Sequence, residues 1–108
     1  MQIITYAGDE YLTGDAIASA LLAYSRALGE EDRAEVVEIP IRDEDGSVVT
    51  AKFLIGPASQ IVAKSVTGHG PELEDPELVQ RLQQLTRGVE SPAGGALEAS
   101  DEMNRQFD

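Results

Sequence analysis

Three carboxylates, Asp9, Glu10 and Asp15, fall within one short stretch, and the only histidine, His69, sits between Gly68 and Gly70. Clustered carboxylates are the groups that hold Mg²⁺, which takes one or two of them and completes its shell with water or phosphate. A histidine titrates near neutrality and can act as a general base. Asp9, Glu10, Asp15 and His69 are therefore the candidate ligand-binding residues. Each also has a plainer reading. Asp9 and Glu10 suit a turn, Asp15 suits the first turn of a helix, where the dipole favours an acid, and a lone loop histidine is most often just exposed. No glycine-rich nucleotide fingerprint or P-loop accompanies them. A base also needs an orienting acid and a substrate proton, and no spacing ties Ser59 or Ser65 to His69. No catalytic residue, metal ligand or cofactor is assigned on this basis. Two weaker candidates remain. Gly56-Pro57-Ala58-Ser59 offers backbone N–H groups to an anion if a helix begins there, and Leu97, Met103 and Phe107 are apolar residues in a polar tail that could dock on a partner.

These residues must be held by the elements around them. The longest period-two run lies at 35–55, where Val37, Ile39 and Ile41 precede an acidic turn and Val49, Ala51, Phe53 and Ile55 follow it. This is a β-hairpin whose register can be tested. A two-residue Asp45-Gly46 loop sets Ile39 against Lys52 and mixes the faces. A three-residue loop of Glu44, Asp45 and Gly46 opposes Ile41 to Val49, Ile39 to Ala51, Val37 to Phe53 and Glu38 to Lys52. It also puts Gly46 where a type I turn plus G1 bulge requires positive φ. Pro40, with no amide to donate, marks its strand as an edge or a bulge.

Ile3–Tyr6 reads as a first strand ended by Gly8. A helix follows from a Thr13 cap to about Leu28, with Ile17, Leu21, Tyr24 and Leu28 on one stripe and Gly29 as its stop. Residues 57–66 read as a further strand that extends the hairpin into a meander, with a helix as the alternative. Asp75-Pro76-Glu77 starts a second helix along Leu78, Leu82 and Leu85, closed by Arg87 and Gly88. The expected fold is a two-layer α+β sandwich in the order β-α-β-β-β-α. A mostly antiparallel sheet of about four strands carries both helices on one face. Residues 1–88 form the domain, and 89–108 read as an acidic flexible tail.

Composition narrows the function. The net charge is −12, and there is no cysteine. Residues 1–88 hold 15 acids against 7 bases, and 89–108 hold 5 against 1, so no part of the chain has the basic cluster that nucleic-acid phosphates require. Thiol catalysis and disulfide stapling are excluded, which suits a cytoplasmic protein. No run of about 18 apolar residues is present, so no membrane association is expected. The expectation is a non-enzymatic protein-interaction or regulatory module whose partner is another protein or itself, as a homodimer. The alternative is a small enzyme or ligand- or metal-binding protein using the Asp9/Glu10/Asp15 loop and His69.

Overall fold

A computed structural model of the chain describes residues 1–90. The elements are β1 (Gln2–Tyr6), β2 (Asp9–Thr13), α1 (Asp15–Glu30), β3 (Glu35–Arg42), β4 (Val48–Ile55), β5 (Ile61–Ser65) and α2 (Pro76–Glu90). The fold is α+β, with a five-stranded, wholly antiparallel sheet in the order β4-β3-β2-β1-β5.

The fifth strand is β2, where the sequence pattern suggests only a turn. Tyr6 pairs with Asp9, so Ala7 and Gly8 alone make the connection, at φ 53° and 87°. Positive φ at both central residues is the type I′ turn that matches strand twist. Asp9 and Glu10, poor β-formers, conceal the strand in the sequence. Because alanine is costly in left-handed backbone whereas asparagine adopts it more readily, Ala7→Asn should stabilise the fold by about 0.5–1 kcal/mol, measured as a raised urea midpoint at unchanged slope.

The β3–β4 register is the one expected, from Val37↔Phe53 through Glu38↔Lys52 and Ile39↔Ala51 to Ile41↔Val49. Gly46 has φ 89°, its N–H donates to the Asp43 carbonyl, and the Asp43 N–H donates to the Ser47 carbonyl. Burial declines toward the turn: Val37, Ile39, Phe53 and Ile55 are buried, Ile41 and Ala51 half-buried, and Val49 exposed. On its other side β3 meets β2 only at Arg42↔Leu12. Pro40 lies along that open stretch, and its carbonyl accepts the Thr13 hydroxyl at 2.8 Å.

Residues 61–65 form a strand, as expected, but it pairs with β1 instead of extending the hairpin. The meander is thus corrected, and β4 and β5 are the two outer strands. The buried sheet residues Ile4, Val37, Ile39, Phe53 and Ile55 form one core with Ile17, Leu21, Tyr24 and Leu28 of α1 and with Leu82 and Val89 of α2. Phe53 anchors it, with Tyr6 and Tyr11 packed at ring centroid distances of 5.4 and 5.0 Å.

Both helix ends of α1 differ from the sequence reading. Thr13 belongs to β2, and the cap position is Gly14, which supplies no side-chain bond. At the other end Gly29 lies within the helix. Asp32, at φ 56°, takes the left-handed position, while Arg33 N–H reaches the Leu28 carbonyl and Asp32 N–H the Gly29 carbonyl. Those two bonds make a Schellman motif. Asp75 caps α2 as expected, accepting the Leu78 N–H at 3.2 Å. That helix runs past Gly88 to Glu90, with Val89 buried and Leu85 exposed. The tail expected beyond it, with Leu97, Met103 and Phe107, lies outside the described residues.

Candidate functional site

The four candidate residues do not form one site. Asp9 and Glu10 open β2, while Asp15 begins α1 beyond its far end, so a strand of about 14 Å separates Asp15 from the other two. The Asp9/Glu10/Asp15 loop is therefore corrected to the two ends of a strand. Among the described residues no group of three His, Asp or Glu side chains is placed to hold a metal ion.

Asp15 has structural work. Its backbone N–H donates to the Glu72 carboxylate, and its own carboxylate lies 3.0 Å from the Met1 ammonium, which is 2.9 Å from Glu72. Glu72 thus satisfies an orphan donor of the α1 N-terminus from a distant loop, the task of an N-cap. The Met1 hydrogen bond, followed by that from the Asp15 amide, holds the Glu72 carboxyl below its ordinary 4.5. Hydrogen bonds from Ser47 likewise lower Asp45 from 3.8. A carboxyl whose pKa is depressed by folding stabilises the fold fully above its unfolded value, and that contribution is lost as pH falls through the folded value. Thermal melts should therefore show stability declining below about pH 4.5, with a shallower decline in Glu72→Gln. An unchanged acid limb in that variant would show that the contact contributes nothing.

Glu10 and His69 are brought together. They line a cavity of about 610 Å³ at the β2–β3 junction, with Leu12, Arg42, Asp43 and Glu44. Arg42 closes it: Nη1 donates to the Gly46 carbonyl at 3.2 Å and Nη2 to the Pro71 carbonyl at 3.3 Å. The second bond ties down the 66–75 loop that carries His69. The Arg42 Nε is buried without a hydrogen-bond partner among the described residues. The cavity is lined by one guanidinium, one imidazole and three carboxylates, a set that suits a small polar ligand.

No family model, curated protein or solved structure matches this chain. Its chemistry is read from its own surfaces.

One of those surfaces carries no reactive side chain. A cavity of about 700 Å³ lies between the Ala7-Gly8 turn, the end of β4 and the start of β5, and no residue lining it is charged. Leu54 and Val62, both 62 % exposed, face it together with Tyr6 and Pro57. The Tyr6 hydroxyl donates to the Leu54 carbonyl there. The Gly56–Ser59 segment is a turn, closed by the Ser59 N–H on the Gly56 carbonyl at 3.0 Å and the Gly56 N–H on the Ser59 hydroxyl at 2.9 Å. Since β5 follows it, no helix start presents amides to an anion, and that candidate is withdrawn. The sequence signal for the cavity was the run from Phe53 to Val62, ten residues with no charge in a chain that is 26 % charged.

Proposed function

We propose that this chain is a non-enzymatic protein-interaction or regulatory module that works in the cytoplasm as a homodimer. The observation that carries the reading is the exposed apolar end of the sheet at Val36 and its cross-strand partner Leu54, each 62 % exposed, with Val62 facing the same cavity as Leu54. Val36 and Leu54 alternate with the buried Val37, Phe53 and Ile55, and Leu54 opens into the uncharged cavity. Contiguous exposed apolar residues are a mark of interaction sites, and depletion of charge distinguishes interface centres from ordinary surface. In a chain of net charge −12, this is the region where another protein can approach with least repulsion. Light scattering across a concentration series is the test. A dimer that Leu54→Asp converts to a folded monomer supports the reading, and a wild-type monomer at every concentration removes the homodimer.

A second reading is a small enzyme or ligand-binding protein using Glu10 and His69. The cavity that these two residues line together favours it. It calls for an amide chemical-shift titration with a small cation, ethylammonium. Saturable shifts confined to Glu10, Arg42 and His69, and lost in His69→Ala, would support it; no shifts would leave Arg42 a structural strut.

A further inference from the structure

We infer that two copies of this chain join edge to edge through the Val48–Lys52 segment of β4, antiparallel, with Thr50 facing Thr50 on the two-fold axis. The inference rests on the homodimer reading above and places the seam along the open edge of β4, the strand that carries Leu54. The hairpin's closing bond, Asp43 N–H to Ser47 C=O, sets the alternation. Odd-numbered residues of β4 bond to β3, and the even-numbered ones turn their amides and carbonyls to the open edge. Two observations agree with this parity. Pro40, which has no amide, stands opposite Thr50, and the carbonyl of Leu54 is free to accept the Tyr6 hydroxyl.

That last contact closes the edge at Leu54 and leaves Val48, Thr50 and Lys52 open. A regular strand of eight residues at a sheet edge invites pairing unless it is blunted, and β4 has neither proline nor bulge, only Lys52. A second copy fits it. With Thr50 on the axis, Val48 opposes Lys52 of the other copy and Val49 opposes its Ala51, so all three open amides and all three open carbonyls of each strand find partners. Shifting toward Leu54 by one step requires its occupied carbonyl, and shifting further puts Lys52 against Lys52. The chosen register apposes no like charges. β4 contains none of the chain's 20 acids, and the acidic turn 44–46 comes opposite residues 54–56, which are uncharged. Glu38, beside Lys52 in the same copy, continues the row. An isologous pairing of this kind closes on itself.

The chain has no cysteine, so Thr50→Cys reports directly. Opposed residues of a hydrogen-bonded antiparallel pair have Cα atoms about 5.5 Å apart, within disulfide range. Oxidation should convert Thr50→Cys to a covalent dimer, while Val62→Cys on the β5 edge should remain uncoupled. Lys52→Pro removes one edge amide per copy without touching the β3 ladder, because proline is tolerated at an outward-facing edge position. It should stay folded by circular dichroism and weaken self-association at least about tenfold. A wild-type dimer in which Thr50→Cys fails to cross-link overturns this seam and leaves the homodimer reading standing. A wild-type monomer overturns both. Species growing beyond a dimer, with neither Thr50→Cys nor Val62→Cys cross-linking, overturn it in favour of open-ended pairing of β4 with β5.

Discussion

Gly14→Ala should lower stability by about 3 kcal/mol, which for a domain of this size is a drop in melting temperature of roughly 10–20 °C. Gly14 has φ −77° and ψ 159°, which any residue adopts, so the cost is not conformational. A Cβ there would lie 1.8 Å from the Leu73 carbonyl oxygen and 3.1 Å from the Glu72 carboxylate. The first obstacle is backbone and cannot rotate away. To make room, the 72–74 segment must lift from the α1 N-terminus, which also breaks the Glu72 bond to the Asp15 amide; losing a helix cap is worth about 1 kcal/mol by itself. Gly29→Ala is the control in the same helix. Its Cβ would meet nothing closer than 3.9 Å, and removing a helical glycine from the last turn of α1 should be neutral or stabilising by up to about 1 kcal/mol. Equal melting temperatures for the two variants would mean that the loop does not rest on Gly14.

Phe53→Ala should cost about 3–5 kcal/mol, the range for deleting a buried aromatic side chain. Phe53 is 2 % exposed, and the rings of Tyr6 and Tyr11 pack on it from β1 and β2. Its loss leaves a cavity bordered by two large side chains that strand pairing holds in place, so collapse into the space is limited. Val49→Ala gives the contrast. The residue shares a sheet face with Phe53 but is 39 % exposed, and its truncation should cost less than about 0.5 kcal/mol. Urea denaturation of both measures the difference. A Phe53→Ala cost below about 1.5 kcal/mol would show that the core centre lies elsewhere.

The contrast between Phe53 and Val49 separates what was legible in the chain from what was not. Period-two alternation on both sides of Gly46 determined the β3–β4 register, because a slip of one residue would turn every apolar side chain to the other face. The stripe of Ile17, Leu21, Tyr24 and Leu28 determined α1 in the same way, and Asp75-Pro76 determined where α2 begins. Depth of burial along a strand is a different matter. It depends on which elements lie over each end, and Val49 extends past them.

The misplaced features share a cause, since each depends on residues distant in sequence. Strand β2 exists because Tyr11, Leu12 and Thr13 pair on β1 and touch β3, although Asp9 and Glu10 begin it poorly. The α1 cap comes from Glu72, fifty-seven positions away from the amide it accepts. β5 lies beside β1 because the Gly56–Ser59 turn carries the chain away from β4. The candidate site was divided for the same reason: β2 separates Asp9 and Glu10 from Asp15, while the Arg42–Pro71 bond brings the His69 loop to Glu10. By itself the sequence determined the helices, the long hairpin and the acidic, cysteine-free character of the chain, since local periodicity and composition act without regard to distant partners. Only the tertiary structure decided strand order, which carboxylates meet the histidine, and which apolar residues stay exposed, because these follow from contacts that form only when remote segments pack together.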